Sequence, residues 1–285
     1  MKVVSTVEDL HAELAELRDQ EKTVCLVPTM GLLHEGHLSL FDLARHECHA
    51  VVASIFVNPL QFGAGEDLDS YPMDLDRDLA EARERCVDVA FVPPVTEMYP
   101  QGTPLVTVSP GPMGDGLCGR YRPGHFGGVL TVVAKLFHMV RPDVAVFGRK
   151  DLQQGILIER MTQDLDLSVR IVLGPIIREH DGLAMSSRNA YLDGEARAQA
   201  IGIPTTLRAA SAAFADDVTG VAELRAVVEE SVRRFPGLDL QYAEFVAPDT
   251  LREVAVAESE TVLAMAALCG GTRLIDNTAL GDLGE

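Results

Sequence analysis

Between residues 22 and 174 the chain alternates short apolar runs with stretches whose apolar residues recur at helical spacing. KTVCLVP (22–28), AVVASIFV (50–57), VDVAFV (87–92), DVAVFG (143–148) and LSVRIVLG (167–174) read as buried strands. Between them, HLSLFDLARHECH (37–49), the acidic run 74–85, GVLTVVAKLFHMV (128–140) and DLQQGILIERMTQDL (151–165) read as helices. Strands that alternate with helices predict βαβ units and an α/β fold built on a doubly wound parallel sheet. Right-handed crossovers then bring the carboxyl ends of the strands, and any ligand, to one edge. After about residue 176 the rhythm changes. Residues 194–234 read as two helices, and 240–247, 260–268 and 272–280 as short strands, which predicts a smaller α+β domain. The expected division is 1–176 and 177–285, with neither an internal repeat nor a low-complexity linker.

Composition narrows the functional classes. The 285 residues carry 43 acids against 24 Lys and Arg, for a formal charge of -19. No basic cluster offers the electrostatic footprint that nucleic acid requires, and the acidity disfavours anionic membranes. Aromatics make up 5% and Trp is absent, so aliphatic side chains must fill the core. Cys25, Cys48, Cys86, Cys118 and Cys269 are scattered and odd in number, which suggests reduced thiols in a cytoplasmic protein. The opening MKVVSTVEDLHAEL lacks an apolar signal region, and no apolar run approaches the length of a membrane span.

Four segments carry candidate chemistry, three of them directly after a predicted strand. PTMGLLHEGH (28–37) opens a helix, with His34 and His37 on one face of its first turn. Helix amides and two imidazoles together would suit a phosphate. Surface histidines in a turn are the bland alternative, and zinc lacks both its H-E-x-x-H spacing and a third ligand. FVNPLQFG (56–63) places the amides of Asn58 and Gln61 at a strand end, where they suit hydroxyls or a carboxylate, although Asn-Pro is also an ordinary turn signal. In FGRKDLQQ (147–154), Lys150 suits phosphate, Asp151 could cap the next helix and Gln154 lies one turn on. REHDGLAMSSRN (178–189) combines two hydroxyls with Arg188, a group able to clamp terminal phosphates, while a Ser or Asn here could instead cap the helix from 194. Asp78 is a candidate metal ligand, though a solvated acid on a helix face is the simpler role.

In their order and spacing these loops resemble the nucleotidyltransferase superfamily. The wording PTMGLLHEGH, FVNPLQFG, RPGHFGGVLTVVAKLF, FGRKDLQQ, GLAMSSRN and TRLIDN is similar to the pantothenate synthetase family over residues 2–280. The resemblance implies a Rossmann-like amino-terminal domain that binds nucleotide and pantoate, a small carboxyl-terminal lid, a homodimer, and ATP with Mg²⁺. It implies an ATP-dependent ligase that joins pantoate to β-alanine through a pantoyl adenylate, releasing AMP and pyrophosphate. At matched positions, His34, His37, Lys150 and Arg188 would be catalytic. Met30, Gln61 and Gln154 would bind pantoate. Met30, His34, His37, Gly148, Lys150, Asp151, Met185, Ser186, Ser187 and Arg188 would bind ATP, Asp151 at the ribose.

The chain departs from the usual family wording at Met73, where Arg is common, and at Arg149, where an acid is common. Leu152 replaces an aromatic, and Cys118 stands where Glu-Gly is common. Neutral drift is one explanation. Another is an adenylate-forming amide ligase with a different acid or amine, and a nucleotidyltransferase that makes no amide is a third.

Overall fold

The computed structural model describes residues 1–63, 66, 68 and 71–282, so the last three residues of the expected second domain lie outside the described residues. The chain divides into two compact units: 1–115 with 119–149 and 154–175, and 116–118 with 150–153 and 176–285.

The first unit holds β1 (Lys2–Val4), α1 (Val7–Asp19), β2 (Val24–Thr29), α2 (Glu35–Glu47), β3 (Ala50–Ile55), α3 (Leu75–Glu84) and β4 (Val89–Phe91). A short α4 (Val95–Met98) follows, then α5 (Cys118–Tyr121), α6 (His125–Val140), β5 (Val144–Gly148), α7 (Leu152–Asp164) and β6 (Arg170–Gly174), with α5 and α7 both straddling the division. The strands form one six-stranded parallel sheet in the order β1-β4-β3-β2-β5-β6. All six residues of β3 are buried, as expected for a strand covered on both faces. One helical layer buries Phe41 and Ala44 of α2 against Cys25, Val27, Val51 and Ala53 of the sheet. Each fully buried Phe or Leu here contributes about 1.5–3 kcal/mol.

From β2 the chain moves outward to β3 on one side and returns to place β5 on the other. This reversal makes the carboxyl end of β2 the topological switch point, where doubly wound sheets bind ligands. The PTMGLLHEGH loop starts there, NPLQ follows β3, and the Arg149–Asp151 turn follows β5.

The second unit packs α8 (Gly194–Ala200), α9 (Gly202–Ala215) and α10 (Val221–Val232) with an antiparallel sheet of β7 (Leu238–Val246), β8 (Val262–Cys269) and β9 (Thr272–Ala279). Alternate residues Leu263, Met265, Ala267 and Cys269 of β8 join Ile203, Leu207 and Leu224 in its core. Three helices occupy 194–234, in place of the two expected. The division falls at Ile201, just before Pro204, whose ring would clash with the carbonyl of Ala200 in a continuous helix. The α8 cap is the carboxylate of Asp193, which accepts from Ala196 N at 2.8 Å, and not a Ser or Asn. No strand was expected over residues 2–4, where β1 pairs with β4.

Candidate active site

The loop after β2 is held from behind. Thr29 Oγ1 accepts from Gly31 N at 3.3 Å and donates to Ser54 O at 3.0 Å. Asp78, reaching in from α3, accepts from Leu32 N at 2.8 Å through Oδ2 and from Leu33 N at 2.7 Å through Oδ1. Asp78 is 2% exposed, so the expected solvated acid is corrected to a buried one. Burial pushes its carboxyl up, and the two backbone amides oppose that. With both oxygens on loop amides it makes a poor metal ligand.

The amides of the loop that precedes α2 are taken up by the protein itself. Three successive loop amides face inward onto Thr29 and Asp78. His34 caps α2, its Nδ1 accepting from Gly36 N at 3.1 Å, while His37 N donates to His34 O at 2.7 Å. What the loop presents is therefore imidazole. With Nδ1 acting as acceptor, a neutral His34 carries its proton on Nε2, as a donor. The His34 and His37 ring centroids lie 4.1 Å apart with their planes tilted by 40°, and both residues are half-buried.

After β3 the amide of Asn58 is consumed by the protein. Its Nδ2 donates to Gln61 Oε1 and to Gly128 O, each at 3.1 Å. Its Oδ1 accepts from Tyr99 Oη at 2.7 Å and from Leu60 N at 3.3 Å. Burial pushes the Tyr99 phenol up, which keeps it a donor. Asn58 thus organises the loop through four hydrogen bonds. Gln61 points instead toward Met30, its Nε2 2.9 Å from Sδ, which brings these two predicted pantoate residues together.

The RPGHF segment grips the same loop. His125 Nδ1 lies 2.8 Å from Gln61 O, and Arg122 donates to Glu66 at 2.7 and 2.6 Å. The guanidinium of Arg122 holds the Glu66 carboxyl below its usual range. Gly128 admits the approach, because a Cβ there would lie 2.2 Å from Leu60 O.

After β5, half-buried Gly148 leads into the Arg149–Asp151 turn. Lys150 Nζ lies 3.8 Å from Asp151 Oδ2, and Lys150 O accepts from Asn277 Nδ2 at 3.1 Å. Of the paired glutamines, Gln153 is structural: it donates to Gly116 O and accepts from Cys118 N, each at 3.0 Å. Gln154 is half-buried.

In the second unit, Arg178 and Ala184 bridge the base of a tight hairpin that leads into Met185, Ser186, Ser187 and Arg188, all half-buried. Arg178 donates to Gly182 O at 3.1 Å and to both oxygens of Asp276 at 2.6 and 3.1 Å. Burial pushes the Asp276 carboxyl up, against the pull of Arg178. Arg197 grips Glu179 at 2.7 Å and Asp181 at 2.6 Å, and Glu179 also accepts from Asn189 at 2.6 Å. Ser186 caps the Ser187–Tyr191 turn by accepting from Arg188 N at 3.3 Å. TRLIDN therefore anchors both Lys150, through Asn277, and the hairpin, through Asp276. Its sequence signal was two adjacent polar residues in a β strand.

A pantoate-beta-alanine ligase profile matches residues 2–279. The chain belongs to the pantoate–β-alanine ligase family. A pantothenate synthetase from Geobacter sulfurreducens is 47% identical, over 99% of this chain and 99% of its own. The crystal structure of pantothenate synthetase from Thermus thermophilus superposes with a TM-score of 0.92, at 44% identity over 98% of this chain and 99% of that one. Pantoate-beta-alanine ligase from Francisella tularensis, complexed with beta-gamma ATP and beta-alanine, gives a TM-score of 0.81 at 33% identity over 99% and 98% of the two chains. The departures from this ligase family's wording fall in different settings. Met73 is 74% exposed and Arg149 is exposed, while Leu152 and Cys118 are buried. Cys118 Sγ lies 3.2 Å from Tyr242 Oη and 3.4 Å from Arg273 Nη2.

Proposed function

We propose that the chain condenses pantoate with β-alanine at the expense of ATP. The pantoate carboxylate attacks the α-phosphorus in line, and pyrophosphate leaves. The amine of β-alanine then attacks the acyl carbon of the pantoyl adenylate, loses a proton and displaces AMP. The observation that carries this reading is the Francisella relative, alike over nearly the whole chain and complexed with beta-gamma ATP and beta-alanine.

In this reading the protein supplies position and charge rather than covalent chemistry. His34 and His37 donate to phosphate oxygens, His34 through Nε2. Lys150 and Arg188 neutralise the charge that gathers as pyrophosphate departs, with the hydroxyls of Ser186 and Ser187 beside them. Gln61 and Gln154 hold the hydroxyls and carboxylate of pantoate, and Met30 packs against it. Gly148, Asp151 and Met185 line the nucleotide, Asp151 at the ribose. Among the described residues no group of three or more His, Cys, Asp or Glu could hold a metal. In this proposal Mg²⁺ would enter with ATP as the substrate complex, as is usual for an ion that stays hydrated and rests on phosphates.

The same proposal divides the chain at residue 176, with the later segment acting as a lid, and makes the protein a cytoplasmic homodimer. Five free thiols suit that compartment. The direct test is pantoate-dependent exchange of labelled pyrophosphate into ATP, with no amine present. Exchange is expected, followed by AMP and pantothenate when β-alanine is added. Exchange with no amide product on addition of β-alanine would shift the assignment to another amine. A folded, ATP-binding protein with no exchange would overturn it.

A further inference from the structure

Asp78 does not occupy the solvated helix face its sequence suggested. It comes from α3, 45 residues beyond the loop it serves, and its carboxylate is buried against two consecutive backbone amides. Among the described residues no side-chain cation forms an ion pair with it, and the hydrogen bonds it accepts come from those two amides. The loop needs such an anchor, because its backbone is unfavourable by itself. Gly31 has φ +83°, and Leu32, a residue with a side chain, has φ +51°. Left-handed backbone at a non-glycine position costs about 1 kcal/mol or more and persists only when its surroundings over-determine it. The packing is close: a Cβ on Gly31 would lie 2.8 Å from Asp78 Oδ2 and 3.3 Å from Ile55 Cγ2.

We infer that Asp78 is a positioning residue for adenylation: by holding the amides of Leu32 and Leu33 it turns them away from the ligand and sets the backbone from which His34 and His37 present their imidazoles. This rests on the proposed phosphate-binding role of those histidines. The carboxylate does not touch the nucleotide. It acts through the loop, so that the groups facing phosphate are imidazole donors fixed by the His34 cap on α2 rather than a cradle of amides. An acid behind an anion-binding loop would otherwise be a misplaced charge. Here its two oxygens meet two adjacent donors one to one, whereas an amide of that size would offer a single acceptor atom and place an N–H₂ donor against the second.

The test uses the full chain and Asp78→Asn. In the wild-type protein, hydrogen exchange at the Leu32 and Leu33 amides is slow, and the substitution accelerates it by about tenfold or more. The turnover of pantoate-dependent pyrophosphate exchange falls by about 10²-fold, since small displacements of catalytic groups cost that much. The KM for ATP changes by less than about threefold, because the lost interaction is one expressed in the transition state. A role confined to fold maintenance would instead lower the melting temperature and the active fraction and leave turnover per folded molecule near normal, which overturns the assignment. Should the variant not fold, the wild-type amides still decide: rapid exchange at Leu32 and Leu33 refutes the hold, and slow exchange supports it. Mg²⁺ alone, without ATP, is expected to leave the Asp78 carboxylate resonance unmoved, and a saturable shift would mark a metal ligand and refute the inference. If the wild type shows no pantoate-dependent exchange, the proposed function falls, while amide protection still rules on Asp78.

Discussion

The loop after β2 and the hairpin after β6 carry two of the three groups of proposed phosphate ligands, yet different physics fixes each. In the first, a single buried carboxylate accepts from two backbone amides and sets the chain's conformation directly. In the second, guanidinium–carboxylate pairs tie side chains together: Arg178 to Asp276, and Arg197 to Glu179 and Asp181. An amide–carboxylate anchor leaves no alternative partner, so it suits a short loop with left-handed backbone. Ion pairs tolerate rearrangement and respond to pH and salt, which suits a longer segment between elements. The first region is therefore expected to break on changes of shape, and the second on changes of charge.

The largest expected effect is in the second region. Asp276 has 1% of its side chain exposed, and Asp276→Ala removes both carboxylate contacts of Arg178, leaving it Gly182 O, and also uncovers Asn277 N. Breaking a buried pair from one side costs about 3 kcal/mol at the low end, the end that applies here because Arg178 is part-exposed. Urea denaturation should show that loss, and a change below about 1 kcal/mol would mean the pair contributes no more than an exposed one. Next comes Lys150→Ala, which separates the ligand from its anchor. The Lys150 ammonium contacts Asp151 at 3.8 Å, whereas its backbone is held by Asn277. Adenylation is expected to drop by about 10² or more, equivalent to about 3 kcal/mol in the barrier, with stability little changed. Near-normal exchange kinetics would remove Lys150 from the phosphate site. In the first region, Gly31→Ala adds a methyl group against Asp78 Oδ2 at a φ of +83°. Strain and overpacking together should cost about 2 kcal/mol, read as a lower melting temperature accompanied by slower exchange. An unchanged protein would show that the loop is not shaped by this contact.

These contrasts also mark what could be read from the sequence. The parallel sheet and its helices were legible because buried strands and amphipathic helices impose different periods over many residues. β1 was not, since Lys2–Val4 offers three residues and no period. The break at Ile201 had a signal in Pro204, outweighed by a long alanine-rich run of helical character. At the site, the groups proposed to meet ligand were legible because they stand at strand ends in distinctive wording. Their supports were not. Asp78 is one of several acids on α3, and only the tertiary fold shows which of them turns inward. Asp276 and Asn277 read as ordinary strand residues until β9 is placed under Lys150 O and Arg178. The hydrogen bonds by which Asn58 ties Gln61, Gly128 and Tyr99 together were not legible either, since they join residues up to 70 positions apart.

The smallest expected effect sharpens the comparison most, because it depends on charge alone. Arg197 holds Glu179 below its usual range, chiefly by hydrogen bonding. For Asp181, desolvation acts upward but is outweighed by Arg197 and Leu183 N, and that carboxyl also ends up low. A carboxyl lowered in the folded state adds stability that is present above its unfolded value, 4.5 for Glu179 and 3.8 for Asp181, and is lost as pH falls through the folded value. Asp78 and Asp276 shift the opposite way, since burial raises both, so the acid limb of the wild-type protein mixes the two signs. Arg197→Met isolates the first kind, because Arg197 touches neither raised group. At pH 7 the variant should be less stable by about 1 kcal/mol, the scale of a partly exposed pair. The gap should persist down to about pH 5 and close as Glu179 and Asp181 protonate in the wild type. A gap that stays constant to about pH 3 would mean that Arg197 stabilises the hairpin by packing its stem, and the second region would then owe its hold to shape, as the first does.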